Sequence, residues 1–318
     1  GKFIVENADA ATAPSNQIWY TSTDDKVVTP YYTSGFGANF VSNNYENGHG
    51  VITFDNAVTI IRSSAFYNCS TLSSITLPES VTQIGDRAFY GCSSLTSVYY
   101  TGDIASWCGI SFGSDANPLS NATNLYLNGE LVRELVIPDS VTEIGLSAFY
   151  GCSSLTSITI PNSVTSFESL VFENCTGLTT AVIGEGVTTI GNGAFYGCAY
   201  LESLVLPSSL ESIADNGFAL CAKLGEITVY ATEPPMVDSK TFENVSRSIP
   251  VYVPYGMGPK YRTAAVWQEF DIRDKADVVT GVDNMYAESI SIEKVICNGQ
   301  VMIVRDGKMY NMLGQEMK

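Results

Sequence analysis

Histidine, basic side chains and long apolar runs are scarce in this chain. Its 318 residues include one histidine, and residues 51–230 carry four Lys or Arg against sixteen Asp or Glu. Nucleic-acid binding depends on Lys and Arg neutralising phosphates, and anionic membranes attract the same side chains. No apolar run approaches the ~20 residues that a membrane-spanning helix needs. We therefore expect neither a nucleic-acid partner nor direct insertion into a membrane.

The sequence signatures of catalysis and of cofactor binding are also missing. The lone imidazole, His49, lies in a turn-like segment over residues 47–50, with no partner group suggested by the sequence. There is no Cys-x-x-Cys spacing for a metal, no phosphate-binding glycine loop and no dinucleotide fingerprint. Glu79, Asp139 and Glu143 stand beside strand ends, where solvation explains a carboxylate better than glycoside hydrolysis does. We expect no enzyme activity, no metal and no cofactor.

What the chain does contain is a regular beat of phenylalanine and cysteine. Successive phenylalanines of the series are 23 residues apart except for one step of 37, and a cysteine follows three residues later in six of seven cases. The phenylalanines are Phe66, Phe89, Phe112, Phe149, Phe172, Phe195 and Phe218, and the cysteines are Cys69, Cys92, Cys152, Cys175, Cys198 and Cys221. A fixed short period indicates a solenoid, whose stacked turns build a long surface rather than an enclosed cleft.

The six periodic cysteines predict a column of free thiols rather than a disulfide framework. Residues at one repeat position of neighbouring turns lie about one strand spacing apart, ~4.8 Å. Free cysteine behaves as a small, readily buried hydrophobic residue, so we expect this column to line the core. Cys108 and Cys297 fall outside the column and are given no role.

One repeat unit is clearest over residues 72–94. Leu72–Leu77 alternates towards its end as a half-buried strand, and Pro78, which lacks an N–H, ends it. A second short extended segment follows over residues 81–84, and residues 86–92 have room for one helical turn. The unit therefore predicts a strand, a turn, a short strand-like arm and a one-turn helix.

Segments 72–92 and 132–152 resemble the 23-residue leucine-rich repeats of BspA-like bacterial surface proteins. The shared pattern is Leu-x-x-Ile-x-Leu-Pro-x-Ser-Val-Thr-x-Ile-Gly-x-x-Ala-Phe-x-x-Cys. This resemblance implies an α/β repeat fold, a right-handed leucine-rich-repeat solenoid or horseshoe that is β-rich with one-turn helices. It implies attachment to host matrix or cell-surface proteins or to other bacteria, and it brings no catalytic residues.

The predicted organisation has four parts. Residues 1–49 form an N-terminal cap with a β-hairpin that turns at Asp24-Asp25, and residues 50–230 form a solenoid of about seven turns with an insertion near 116–131. Residues 231–276 form a degenerate repeat and C-terminal cap, and residues 277–318 form a linker and a small β appendage. The tail resembles a closing β-module of exported Bacteroidetes proteins, and a sorting signal and a simple three-strand appendage both remain open.

The turn over residues 95–117 departs most from the pattern. In this alignment Trp107 replaces the usual Ile, Cys108 replaces the Gly and Asp115 replaces the column Cys, with a 14-residue insertion before Val132. We expect specificity to reside near this irregularity.

Three functions follow as hypotheses. The first is a non-catalytic extracellular adhesion or protein-interaction module that binds through the concave sheet, where an outward column includes Thr76, Tyr99, Thr159 and Thr228. The second is a glycan-binding protein that uses the aromatic rings of Tyr99, Tyr100 and Trp107, and the third is a structural spacer. We expect a monomer at the outer cell surface or outside the cell, exported by a signal absent from this sequence.

Overall fold

The computed structural model describes residues 13–275, together with the backbone of four strands between residues 292 and 317. The chain divides into two compact units, Gly1–Val279 and Thr280–Lys318. The first unit contains the repeats, and the second contains the strands of the tail.

The first half of the unit Gly1–Val279 contains eleven short strands and one short α-helix among its described residues. The strands are β1 (Gln17–Ser22), β2 (Phe40–Glu46), β3 (His49–Phe54), β4 (Ile60–Ile61), β5 (Leu72–Leu77), β6 (Gln83–Ile84), β7 (Ser97–Tyr100), β8 (Ser111–Phe112), β9 (Asn124–Leu127), β10 (Glu130–Leu131) and β11 (Glu134–Val136). Helix α1 covers Ile104–Cys108, and a 3-10 helix covers Pro118–Ser120.

The second half continues in the same style. Its strands are β12 (Ser157–Thr159), β13 (Thr180–Val182), β14 (Thr189–Ile190), β15 (Ser203–Leu206), β16 (Ser212–Ile213), β17 (Glu226–Val229), β18 (Pro250–Pro254) and β19 (Asp271–Lys275). Helix α2 covers Gly258–Tyr261, and a 3-10 helix covers Trp267–Glu269.

Two seven-stranded sheets form one wall of the solenoid. Their strand orders are β10-β9-β7-β5-β1-β3-β2 and β11-β12-β13-β15-β17-β18-β19. In the second sheet Glu134, Ser157, Thr180 and Ser203 are successive parallel partners, so each turn advances by one 23-residue period. The short strands β4, β6 and β8, and β14 with β16, form a second wall. The solenoid predicted from the repeat is thus confirmed.

Stacked phenylalanine rings fill the space between the walls. Phe195 lies between Phe172 and Phe218, with ring centroids 5.3 and 5.0 Å away, and the stack continues to Phe149 on one side. All four side chains are fully buried. Because aromatic rings bury a large apolar area, each phenylalanine is among the largest single contributions to the core of its turn.

The cysteine column lies beside the phenylalanine stack, as predicted, and its thiols are free. Cys69 is half-buried and the other five are buried. Four of the six thiols donate to the carbonyl of the phenylalanine one turn earlier: Cys92 to Phe66 at 3.1 Å, Cys175 to Phe149 and Cys198 to Phe172 at 3.2 Å, and Cys221 to Phe195 at 3.3 Å. The column therefore joins neighbouring turns through hydrogen bonds as well as through packing.

We expect the buried thiols to resist modification in the native protein. Burial raises the pKa of Cys92 and of Cys221 to about 12, so the reactive thiolate is scarce at mildly alkaline pH. In a Cys297→Ser background, a thiol reagent should leave the six buried cysteines of residues 13–275 unmodified, and all seven should react in denaturant. Rapid reaction of all seven without denaturant, or disulfides within the column, would contradict this arrangement.

The segments around the core phenylalanines form hydrogen-bonded turns. One-turn helices are therefore fewer than the one per repeat that the sequence predicted. The residues two before and two after a core phenylalanine have positive φ at Phe66, Phe89, Phe149, Phe172, Phe195 and Phe218, as at Ser64 (59°) and Asn68 (55°) around Phe66. The N–H of Phe66 donates to the carbonyl of Ala88 in the next turn at 2.7 Å. Because these backbone groups bond to the neighbouring turn, they are not available for the i to i−4 bonds of a helix.

The N-terminal hairpin prediction is wrong. No strand follows Asp24-Asp25 directly; β1 instead lies between β3 and β5 and pairs antiparallel with both. The hairpin of this region joins β2 to β3 through Asn47-Gly48, both at positive φ. Pairing with β5 covers the open edge of the first parallel strand, as the end of a repeat array requires.

The alignment of the irregular turn is also corrected. Phe112 pairs beside Ile84 and therefore occupies the aliphatic position of the arm, not the position of the stacked phenylalanine. The extra residues form α1, which begins at the N-cap Asp103 and delays the arm. The predicted insertion contains β9, a parallel partner of β7 that continues the first sheet.

The second unit is a small antiparallel sheet. Its strands are β20 (Ile292–Cys297), β21 (Gln300–Arg305), β22 (Lys308–Tyr310) and β23 (Glu316–Met317), in that order in the sheet. The predicted appendage over residues 277–318 had three strands, and the described part of the tail contains these four. The predicted linker at the start of residues 277–318 lies outside the described residues, as do residues 1–12 of the predicted cap.

Candidate binding surface

One row of outward side chains crosses both sheets, and we call it the sheet-face row. Cross-strand pairing places its members beside one another on successive strands. In the first sheet they are Trp19, Thr76, Tyr99 and Tyr126, and in the second sheet Val136, Thr159, Val182, Val205, Thr228, Tyr252 and Arg273. The row contains the column predicted from the repeats and extends it at both ends.

Two tyrosines form a stacked pair within this row. The ring centroids of Tyr99 and Tyr126 are 4.5 Å apart, with an angle of 21° between the ring planes. Both rings are half-buried. The pKa of the Tyr99 hydroxyl is raised, mainly by burial and to a smaller extent by the nearby Tyr126 hydroxyl. Tyr126 was not among the residues selected from the sequence, because it lies in the segment read as an insertion.

Thr76 lies in the predicted column but offers little surface. It is 5% exposed, since its neighbours across the strands are Trp19 and Tyr99. Trp19 belongs to the cap strand β1, whose pairing with β5 was not predicted from the sequence. A partner at this end of the row would therefore meet the two aromatic rings rather than the threonine.

Tyr100 and Trp107 do not reach the surface, which corrects the expectation that they could hold a glycan. Both are buried, and their rings meet edge to face with centroids 5.3 Å apart. The Tyr100 hydroxyl donates to the carbonyl of Glu79 at 3.2 Å, and Trp107 Nε1 donates to the carbonyl of Ala148 at 2.9 Å. They fill the core where the irregular turn over residues 95–117 interrupts the phenylalanine stack.

The second-sheet part of the row is uncharged over four consecutive turns. Thr159, Val182, Val205 and Thr228 are all partly exposed, and Val136 at the start of this sheet is 66% exposed. The adjacent outward column is polar, with Glu134 and Glu226 at its ends. From Val136 to Thr228 the row is thus a strip of β-branched side chains on an otherwise acidic array.

An open pocket of about 500 Å3 lies where the first sheet ends and the second begins. It is lined by Ile104, Leu127 and residues 130–136. The strands β9 and β10 form a hairpin through Asn128-Gly129, at φ 50° and 82°. The Asn-Gly dipeptide is the strongest short-range hairpin signal and could have located this turn from the sequence.

His49 is the first residue of β3 rather than a loop residue, opposite Glu46 across the β2–β3 hairpin. Among the described residues, no cluster of three or more His, Cys, Asp or Glu side chains could hold a metal ion. The same part of the chain contains no helix of the length and apolar character required to cross a bilayer.

Comparison with known proteins identifies the repeats. The family model for the BspA type leucine rich repeat region matches residues 44–117 and 122–248, in six copies. A search of curated proteins finds no match. A leucine-rich cell surface protein from Faecalibacterium prausnitzii is similar in structure, with 26% identity, a TM-score of 0.45, and coverage of 60% of this chain and 56% of that one. This chain therefore spans little more than half of the length of that protein.

Two further solved structures show weaker similarity. A leucine-rich repeat protein from Bacteroides ovatus has 17% identity and a TM-score of 0.29, covering 74% of this chain and 90% of that chain. The pneumococcal vaccine antigen PcpA has 14% identity and a TM-score of 0.36, covering 74% and 88%. Because the repeat model alone covers more than half of the residues, this chain belongs to the BspA-type leucine-rich repeat family.

Proposed function

We propose that this protein is a non-catalytic interaction module of the bacterial cell surface that binds host matrix or cell-surface proteins through the sheet-face row. The observation that carries the proposal is the uncharged strip of Thr159, Val182, Val205 and Thr228, which stays partly exposed on an acidic array. Membership of a repeat family with a cell-surface relative in Faecalibacterium prausnitzii supports the location.

The physical argument for protein binding is preorganisation. Each residue of the strip is held by parallel pairing on both sides, so little conformational entropy is lost when a partner covers it. The threonine and valine methyl groups supply apolar contact area, and the surrounding acidic residues favour partners with a basic rim. A long, shallow strip suits an extended protein surface better than a small molecule, which needs a concave site.

Glycan binding is the second candidate, and of the residues first named for it we keep Tyr99. Tyr99 and Tyr126 present a stacked pair of half-buried rings, and Trp19 lies two strands away in the same row. Planar aromatic surfaces of this kind stack on the apolar faces of sugar rings. This candidate no longer includes Tyr100 or Trp107, because neither side chain is accessible.

A binding screen against matrix proteins and a glycan array tests the proposal. The double variant Val182→Lys, Val205→Lys should weaken binding of a protein hit by about tenfold or more, because it places two charges in the apolar contact. A matched control is Tyr90→Lys, Tyr200→Lys, which adds the same charge at side chains that are 49% and 57% exposed and belong to neither sheet. The control should bind as the natural protein does.

The two candidates separate in the same screen. A protein ligand should tolerate Tyr126→Ala, because many turns share the contact, whereas a glycan ligand should be lost. Equal binding by the sheet-face double variant and its control would contradict the sheet-face site. Absence of binding in both the matrix-protein screen and the glycan array would contradict both binding functions and leave the spacer function.

A further inference from the structure

The wall of strands is interrupted once within residues 13–275, between β10 and β11. Strand β10 ends the first sheet and β11 begins the second, and the two do not pair although only two residues connect them. The open pocket of about 500 Å3 lies at this break. Two strand edges are therefore left at the same place in the array.

The edge of β11 that faces away from β12 carries unpaired peptide groups. On the β12 side, the Arg133 carbonyl accepts from the Thr156 N–H at 2.7 Å, and the Ile137 N–H donates to the Thr159 carbonyl at 3.0 Å. Because hydrogen-bonding direction alternates along a strand, the peptide groups of Glu134 and Val136 face the other way, towards the break. β11 has no second partner strand among the described residues.

The opposite wall of the break has the same character. The Val132 N–H donates to the Leu125 carbonyl at 2.9 Å, so alternation directs the peptide groups of Leu131 away from β9. Buried or occluded peptide groups need partners, and water at an open edge is readily replaced by another strand. The break is thus bordered by peptide donors and acceptors on both sides.

Side chains at the break combine apolar surface with negative charge. Val136 is 66% exposed, and Leu127, Leu131 and Ile104 are partly buried around the pocket. The charged lining residues are Glu130, Glu134 and Arg133, all exposed, so acidic groups outnumber the basic one.

The far edge of the same sheet shows what a protected edge looks like here. Strand β19 carries Asp271, Arg273, Asp274 and Lys275, and charges of this density discourage strand pairing. Strand β11 carries a single charge, Glu134, next to the apolar, exposed Val136, and it borders a pocket. The β11 edge therefore carries fewer charges against strand pairing than the β19 edge does.

We propose that an extended segment of a partner protein, with Lys or Arg residues alternating with apolar residues, adds to the edge of β11 as an extra strand. Its main chain pairs with Glu134 and Val136, its apolar side chains enter the pocket, and its basic side chains approach Glu130 and Glu134. This is strand addition, in which the main chain provides affinity and alternate side chains provide specificity. The inference rests on the proposed function, since it names one site and one partner chemistry for a protein-binding module.

A synthetic hexapeptide, acetyl-Thr-Lys-Val-Lys-Val-Thr-amide with a fluorescent label, provides the test by fluorescence anisotropy. The natural protein should bind it, and Val136→Pro should weaken binding by about tenfold or more, because proline removes a peptide donor at the break. Proline is tolerated at an outward-facing edge position, and the bonds of β11 to β12 use other residues. Val136→Thr keeps the N–H and is the matched control, with binding unchanged within about twofold.

Charge and backbone are tested separately. Glu134→Lys should weaken binding about fivefold through loss of attraction to the peptide lysines. A peptide with N-methylated valines, which cannot pair as a strand, should not bind. Protection of the buried thiols in each variant shows that the solenoid remains folded.

Several results would overturn the strand-addition proposal. They are absence of peptide binding to the natural protein, equal binding by Val136→Pro and Val136→Thr, or self-association that Val136→Pro abolishes, which would assign the edge to a second copy. The proposed function fails independently: its own measure is the Val182→Lys, Val205→Lys variant in the partner screen. Loss of the partner in that variant with unaltered peptide binding by Val136→Pro would remove the edge proposal alone.

Discussion

Replacement of Phe195 by alanine is expected to lower the free energy of unfolding by about 3–5 kcal/mol, the usual cost of removing a buried aromatic ring. Phe195 is fully buried, and its ring stacks on Phe172 and Phe218 at 5.3 and 5.0 Å between centroids. Truncation therefore leaves a cavity in the middle of the stack and removes two ring contacts. Urea unfolding followed by circular dichroism measures the change.

Two controls define the meaning of that loss. Phe195→Leu keeps an apolar side chain in the stack and should cost less, about 1–2 kcal/mol. Tyr200→Ala, at a side chain that is 57% exposed, should change stability by less than about 0.5 kcal/mol. If Phe195→Ala were no more costly than Tyr200→Ala, the stacked phenylalanines would not be the core.

Replacement of Trp107 by alanine is expected to cost about 3–5 kcal/mol and to leave glycan binding unchanged. The ring is buried between Tyr100 and Phe112, at 5.3 and 5.7 Å, and bridges the turn in which the phenylalanine stack is interrupted. Thermal or urea unfolding gives the stability, and the glycan array gives the second readout.

The conservative variant Trp107→Phe separates volume from hydrogen bonding. The Ala148 carbonyl also accepts from Asn117 Nδ2 at 3.0 Å, so loss of the Trp107 Nε1 donor at 2.9 Å leaves it paired. The variant should therefore cost about 1–2 kcal/mol, mainly from the smaller ring. A near-neutral Trp107→Ala that abolishes glycan binding would instead return Trp107 to the surface site.

The regular turns could be predicted from the sequence because their core positions repeat without change. The period of 23 residues places Phe149, Phe172, Phe195 and Phe218 in one stack, and the cysteine three residues later follows from the same register. Hydrophobic burial selects the same residue types at each equivalent position, and this uniformity is visible in one chain.

The irregular turn over residues 95–117 could not be aligned correctly from the sequence, because Phe112 happens to preserve the 23-residue spacing. It stands 23 residues after Phe89, yet strand pairing sets it beside Ile84. The donor to the Phe89 carbonyl is Asn121 Nδ2, at 3.0 Å, where regular turns use a cysteine thiol. A change of residue type that keeps the hydrogen bond leaves no periodic signal.

The cap and the sheet face needed the structure for a different reason. The pairing of β1 with β5 brings together residues that are fifty or more positions apart, which no local pattern encodes. Trp19 and Tyr126 consequently joined the sheet-face row only when the strands were placed, whereas Thr159 and Thr228 were predicted to face outward from alternation alone.

The thiol-to-carbonyl hydrogen bonds have a consequence for how arrays of this kind can change in length. A regular interior turn donates a thiol hydrogen bond to the turn before it and accepts one from the turn after it. Cys198 donates to the Phe172 carbonyl in this way, and Cys221 donates to the Phe195 carbonyl. Gain or loss of a whole period keeps every thiol donor matched to a carbonyl acceptor, whereas a gain or loss of any other length requires a substitute donor, as Asn121 provides for the Phe89 carbonyl. Duplication and deletion of whole units are thus nearly neutral for the interior, so reach can vary among related chains while the chemistry of the core stays constant.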